Sequence, residues 1–123
     1  MTKASRRRAQ GAEPEKPVIA GTFHIAEMGL WDEDFLNLVV QAFIRFQPDG
    51  RGEFRFGAVQ ASLDYRNTTR EGKPAVDFSF EGFDECDEVS GRGWAVLEAK
   101  EVLNGMIFFH LGDESGFAAE RKT

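Results

Sequence analysis

The sequence predicts an all-β fold, an antiparallel meander of about seven strands that forms a closed or partly open small barrel. Apolar and polar residues alternate along most of the chain, which is the period of a half-buried strand. Short clusters of Gly, Pro and Asp separate these segments, and short connections join antiparallel neighbours. No stretch of ten residues has helical periodicity. A β-sandwich is the alternative, because it also protects the edges of a long meander.

The first predicted strand covers residues 18–28 and ends at Gly29. Asp32 then begins a loop or a single helical turn, because an Asp side chain can accept a hydrogen bond from the backbone at a helix start. The second strand covers residues 36–46, where six alternating apolar residues share one face. A Pro-Asp-Gly sequence follows and predicts a turn.

The third predicted strand begins near Glu53 and contains a change of phase. Phe54 and Phe56 share one face, whereas the apolar residues from Val59 onward have the opposite parity. We place a β-bulge at Gly57, because a glycine bulge shifts the alternation by one residue and bends a strand, as a closed barrel requires.

The second half of the chain continues the alternation. Residues 67–73 are predicted as a polar connection, residues 82–91 as an acidic loop and residues 112–116 as a hairpin turn. The last four strands are predicted near residues 76–81, 93–99, 103–111 and 117–121.

The 123 residues suffice for one domain, which we place at residues 18–123 after a basic tail at residues 1–17. The tail contains no aromatic residue and no apolar residue larger than Ala between Met1 and Val18, so we expect it to be disordered. Its formal charge of +3 leaves −9 on the domain, since the whole chain is at −6. The tail is most simply a solubilising segment, although its arginines could contact phosphates or an acidic partner.

Composition also predicts the compartment. No segment approaches the roughly 20 apolar residues of a membrane-spanning helix, and no apolar region follows the basic residues of the tail as in a secretory signal. Cys86 is the only cysteine, so an internal disulfide is excluded. We therefore expect a cytoplasmic protein. A domain at −9 repels nucleic-acid phosphates and suits a basic protein partner, while self-association stays open.

Two short sequences resemble the calycins, the barrel families that include lipocalins, fatty-acid-binding proteins and avidins. Gly21-Thr22-Phe23 is similar to the Gly-x-Trp opening of their first strand, with Phe in place of Trp. Arg121 lies where those families place a basic residue near the end of the last strand, packed over that aromatic ring. The resemblance implies a calycin-like barrel.

A second resemblance covers residues 21–121. Residues 76–82, 90–95 and 107–115 resemble a family of short uncharacterised bacterial proteins. This resemblance implies a bacterial, cytoplasmic protein and no particular activity.

Acidic residues surround Cys86 in the predicted loop. Their charge would raise the pKa of the thiol and disfavour the nucleophilic thiolate. The patterned spacing and central glycine of a calcium loop are missing. A solvated loop is the simplest interpretation, and a docking surface is the functional one. The residues predicted to bind a partner, from this loop and the tail, are Glu81, Asp84, Glu85, Asp87, Glu88, Arg6, Arg7 and Arg8.

Three residues near the last turn are of the types found in a hydrolytic triad: His110, Asp113 and Ser115. Because residues so close in sequence rarely converge as a triad, we predict a structural turn and assign no catalytic residue. His24 would have to meet His110 across the barrel closure to share a metal with Asp113, and no ligand spacing supports this. We predict neither a metal nor a cofactor.

The 12 Phe residues would fill a small barrel. We expect Phe23 and Trp94 to be mostly buried, with Arg121 close to one of the two rings, and assign all three structural roles in the core. The leading functional hypothesis is a non-enzymatic binding or accessory module that acts through a protein partner by its acidic surface. The alternative is a small-ligand-binding calycin-like barrel with its site at one barrel mouth, and an enzyme is one form that this alternative includes.

Overall fold

The computed structural model describes residues 19–122. The predicted tail at residues 1–17, including its three arginines, lies outside the described residues. The strands are β1 (Gly21–Met28), β2 (Phe43–Phe46), β3 (Arg51–Phe56), β4 (Val59–Arg70), β5 (Lys73–Asp84), β6 (Asp87–Leu97), β7 (Val102–Phe109) and β8 (Glu114–Arg121). One helical turn, α1 (Glu33–Leu36), follows β1, and a 3-10 turn (Ala99–Glu101) precedes β7.

The eight strands form one closed antiparallel barrel, which confirms the predicted fold class. Each strand pairs with the next, and β8 returns to pair with β1, so every strand has two neighbours. We call the end that carries α1 the helix end; its connections are residues 29–42, 57–58, 85–86 and 110–113. The opposite end carries residues 47–50, 71–72 and 98–101.

The strand predicted at residues 36–46 is wrong except for its last four residues. Asp32 begins a helical turn, because its side chain accepts a hydrogen bond from the Phe35 backbone N–H at 3.0 Å. Asn37 ends the turn, and its side-chain oxygen accepts a hydrogen bond from the backbone N–H of Ala42 at 2.8 Å. These local bonds hold a loop in which Leu38 is exposed, so the alternating pattern of this segment does not mark a strand face.

The predicted bulge at Gly57 is a hairpin turn, which accounts for the eighth strand. Phe56 and Val59 are directly paired and both buried, so the change of parity marks the passage from β3 to β4. Gly57 has a φ of +57°, which glycine adopts readily. Its Cα also faces the ring of Phe35 so closely that an added Cβ would clash.

Two segments predicted as connections are largely strand. β4 and β5 continue to a two-residue turn at Glu71 and Gly72, and β5 and β6 continue to a turn at Glu85 and Cys86. The predicted polar connection and acidic loop are therefore the tips of two long hairpins. Their polar composition reflects exposure, since the end of β4 is exposed on both faces.

Aromatic side chains fill the barrel. Phe23 and Phe46 meet edge to face at one level, and Phe54 and Phe80 do so at another, with ring centroids 6.5 and 4.9 Å apart. The largest fully buried side chains belong to Phe23, Phe46, Phe54, Phe56, Ile19, Leu36, Ile44, Leu103, Ile107 and Val76. The interior is therefore a packed core, and space for a ligand is to be sought at the ends.

Candidate functional site

The helix end carries a concentrated negative charge. Its four connections contain no Lys or Arg, whereas Asp32, Glu33, Asp34, Glu85 and Asp113 all lie in them. The tip of the β5–β6 hairpin adds further carboxylates. The five acidic residues predicted to bind a partner are all exposed, four of them next to Cys86 and Glu81 further along β5. We call Asp84, Glu85, Asp87 and Glu88 the hairpin carboxylates.

The hairpin carboxylates have no cationic neighbour among the described side chains. Asp84 and Asp87 are directly opposite each other in the strand register, which places like charges side by side. The ion pairs of the described residues lie elsewhere: Arg45–Glu53, Arg70–Asp77, Lys73–Glu98 and Arg121–Glu101. The negative charge of the hairpin is therefore left for solvent or for a partner.

Large exposed apolar side chains are concentrated at the same end. Leu30, Leu38 and Val39 lie in the connection from β1 to β2, Phe83 lies next to the end of β5, and Leu111 lies in the β7–β8 turn. The described chain exposes five such side chains: Leu30 (49%), Leu38 (65%), Val39 (58%), Phe83 (51%) and Leu111 (94%). Acidic and apolar surface thus coincide at one end of the barrel.

A cavity of about 330 Å³ opens between α1, the β5–β6 hairpin and the β7–β8 turn. We call it the mouth pocket. Its lining combines four aromatic residues, three acidic residues and one histidine: Trp31, Phe35, Phe56, Phe109, Asp84, Glu88, Asp113 and His110, beside Val59, Val89, Ser90 and Gly112. The pocket therefore has both apolar and acidic surfaces.

Trp31 is the centre of the ring cluster in the mouth pocket. Its ring stacks on the Phe35 ring, with centroids 5.9 Å apart. The planes of the Trp31 and Phe109 rings make an angle of 84°, with centroids 6.4 Å apart. Phe56 is fully buried, and its ring centroid is 5.1 Å from that of Trp31, so it connects the cluster to the barrel core. Trp31, Phe35 and Phe109 are only partly buried, so these rings border the open space.

No family model, curated protein or solved structure matches the chain. The resemblances to calycins and to the bacterial family therefore stay predictions. No helix in the described part of the chain is long and apolar enough to cross a membrane.

Ser115 lies apart from the other two candidate triad residues, His110 and Asp113. Ser115 is buried, and its hydroxyl donates to the Gly116 carbonyl at 2.9 Å and accepts from the Leu30 backbone N–H at 3.1 Å. Among the described contacts, the His110 side chain forms no hydrogen bond to Asp113 or Ser115. His110 and Asp113 both line the mouth pocket, whereas Ser115 ties the loop after β1 to β8.

The two histidines lie in different parts of the barrel. His24 lies in β1, in register with Phe43 of β2 and Glu120 of β8, whereas His110 lies in the turn after β7. Within residues 19–122, no three His, Cys, Asp or Glu side chains are grouped closely enough to hold a metal ion.

The predicted core residues are placed differently from one another. Phe23 is fully buried, and the Arg121 guanidinium carbon lies 4.7 Å from the centroid of its ring, as predicted. Arg121 also donates to the Ala20 carbonyl at 2.7 Å and pairs with Glu101. The prediction that Trp94 is mostly buried is wrong. Trp94 is only partly buried and is paired with exposed Asp77, so it faces the outside of the barrel.

Sequence reasoning missed the aromatic part of the site. Trp31, Phe35 and Phe109 are not among the functional residues predicted from the sequence. A signal was present, since two aromatic residues flank the capping Asp32 at the spacing of one helical turn. Their approach to Phe56 and Phe109 depends on pairings between distant strands, which the local sequence does not specify.

Proposed function

We propose that the protein is a non-enzymatic, cytoplasmic binding module that docks a basic protein partner on its helix end. The observation that carries the proposal is the coincidence of unpaired carboxylates and exposed apolar side chains at that one end. Interfaces of this kind bury apolar groups at their centre and use charge for orientation and rate of association. The matching partner surface is amphipathic and carries Lys or Arg.

The strand register supports a binding role for the hairpin. Asp84 and Asp87 are directly opposite each other, an arrangement that destabilises a hairpin because like charges repel. A cationic partner would relieve this repulsion on binding. The same charges would steer a basic partner toward the helix end before contact.

The test is a pull-down from a bacterial lysate at physiological salt, followed by identification of bound proteins. We expect a stoichiometric partner with a basic surface, lost with a variant that neutralises the hairpin carboxylates: Asp84→Asn, Glu85→Gln, Asp87→Asn and Glu88→Gln. A matched control removes the same charge elsewhere on the barrel: Asp64→Asn, Asp77→Asn, Glu71→Gln and Glu120→Gln. Equal binding by the two variants, or no stoichiometric partner, would reject the proposal.

A calycin-like barrel that binds a small ligand is the second candidate. The cavity of about 330 Å³ and the Arg121 guanidinium over the Phe23 ring favour it. The filled interior limits such a ligand to the mouth, where a carrier or an enzyme of this type would have its site. Native mass spectrometry of the purified protein distinguishes the two, because a retained small molecule supports this candidate and an empty protein supports partner docking.

A further inference from the structure

We infer that the mouth pocket binds an organic cation, specifically an alkylammonium group. The inference rests on the proposed function for one source of that group, a lysine side chain of the docked partner. A free alkylamine would present the same chemistry. Charge, ring arrangement and the shape of the pocket each support this ligand class.

The charge of the lining selects a cation. Asp84, Glu88 and Asp113 are among the lining residues and belong to the end of β5, the start of β6 and the β7–β8 turn. No Lys or Arg is among the lining residues. The local charge of these residues is negative, so the pocket would repel an anion and attract a cation.

The rings favour an organic cation. Trp31 and Phe109 border the space at nearly right angles, and Phe35 stacks beside Trp31. Aromatic walls attract alkylammonium groups through the ring quadrupole, with Trp the strongest, and they also cover the alkyl chain. A hard metal ion would instead need several converging oxygen atoms, which the described side chains do not group closely enough.

The floor of the pocket determines how the ligand would lie. Phe56 is fully buried and contacts the Trp31 ring. The ring centroids of Phe109 and Phe80 are 5.4 Å apart, so Phe109 packs on the barrel core. These rings together close the passage from the pocket into the barrel. The ligand therefore enters by one end and stays connected to the outside. This is the geometry needed to receive a side chain that projects from a larger molecule.

The experiment uses Trp31 as its own reporter. The full chain carrying Trp94→Phe has Trp31 as its single tryptophan, and its fluorescence is titrated with butylammonium and with the neutral probe 1-butanol. We expect a saturable change with butylammonium and at least about tenfold weaker binding of 1-butanol, from the lost charge and cation–π attraction. Equal affinity for the two probes, or no saturable change, would overturn the inference.

Variants locate the site. Glu88→Gln with Asp113→Asn should weaken butylammonium binding about tenfold, whereas the matched control Glu71→Gln with Asp64→Asn, away from the pocket, should leave it unchanged. An equal loss in both variants would show attraction by overall charge and would contradict a pocket. Circular dichroism of each variant verifies folding.

A peptide titration separates the two sources. Tighter binding of Gly-Gly-Lys-Gly-Gly than of butylammonium assigns the pocket to a protein side chain, and the reverse order assigns it to a free alkylamine. The inference and the proposed function can fail separately: butylammonium binding without a partner in the pull-down leaves the pocket standing, and a captured partner with no butylammonium binding rejects only the pocket.

Discussion

Tyr65 couples the stability of the barrel to alkaline pH. Its hydroxyl donates to the Gln47 carbonyl at 2.6 Å, and its ring packs edge to face on Phe46. Burial raises the pKa of Tyr65 above its ordinary value of 10.0, and the negative charge of Asp49 raises it further. Because the folded pKa is the higher one, the stability contribution is complete below pH 10 and is lost as the pH rises through the folded pKa.

Tyr65 is the only tyrosine, so phenolate absorbance reports on this group alone. We expect phenolate to appear at higher pH in the folded protein than in urea, and the unfolding free energy to fall above pH 10. Tyr65→Phe should remove that fall and cost about 0.5–1.5 kcal/mol at neutral pH through the lost hydrogen bond. The same alkaline fall in Tyr65→Phe would assign it to other groups.

Trp94 and Phe54 contrast the outer and inner faces of the sheet. Trp94 is partly exposed under the Arg70 guanidinium, which lies 4.2 Å from its ring, whereas Phe54 is fully buried. Trp94→Ala should therefore cost only about 1–2 kcal/mol, and Phe54→Ala about 3–5 kcal/mol because it leaves a cavity. Urea melts measure both, and a larger loss for Trp94→Ala would contradict its placement.

These positions show what residue patterns predict. The expectation that Arg121 lies near an aromatic ring is confirmed at Phe23. Phe23 is near the start of β1 and Arg121 is the last residue of β8, and the two residues are directly paired in the strand register. Trp94 is expected in the core because it follows Gly93 at the start of a predicted strand. A position at a strand start does not decide which face a residue occupies. Gly93 is paired with buried Phe78, so the next residue, Trp94, lies on the outer face.

At the level of elements, the tight turn from β3 to β4 tests how α1 is held on the barrel. Gly57 has positive φ, donates its N–H to the Leu36 carbonyl at 2.8 Å and leaves no room for a Cβ beside Phe35. Gly57→Ala should cost about 1–3 kcal/mol, from backbone strain together with the clash. The measurement is the unfolding free energy from urea melts.

Gly72 supplies the matched control in the turn from β4 to β5. It also has positive φ, at +79°, but an added Cβ would meet nothing within 4 Å. Gly72→Ala should therefore show the backbone strain alone, about 1 kcal/mol. Adding Phe35→Ala to Gly57→Ala should recover the part due to the clash, and equal losses for Gly57→Ala and Gly72→Ala would refute close packing of α1.

The alternation of apolar and polar residues predicts some strands correctly and is misleading in one loop. Val76, Phe78 and Phe80 lie in β5 as predicted, because their parity matches burial on a paired strand. The loop around Leu38 has the same alternation without any partner strand. The hydrogen bonds of the Asp32 and Asn37 side chains stabilise a helical turn and a loop there, in spite of the strand-like alternation. The residue at which β2 begins to pair with β1 is given by the strand register and not by the alternation.

For the whole molecule, the unbalanced charge predicts a dependence on salt. The domain carries −9, and much of this lies at the helix end. Raising ionic strength from low to physiological should stabilise the protein by about 0.5–1 kcal/mol, because salt screens repulsion among exposed carboxylates. Chemical melts at several salt concentrations measure this.

The hairpin carboxylates should account for a disproportionate share of that effect, because Asp84 and Asp87 face each other. The variant that neutralises them should be more stable at low salt and less sensitive to added salt than the control of equal charge described above. If the two variants respond alike, the repulsion belongs to net charge and the hairpin has no special part.

The closure between β1 and β8 has a consequence for how the barrel can be joined to other polypeptides. Arg121 bonds the Ala20 carbonyl, and the Lys122 N–H donates to the Thr22 carbonyl at 2.8 Å, so the chain enters and leaves the barrel side by side. Both points lie away from the helix end. The domain can therefore be tethered to a sensor surface, or inserted into a host loop, with its acidic and aromatic face pointing outward and unobstructed.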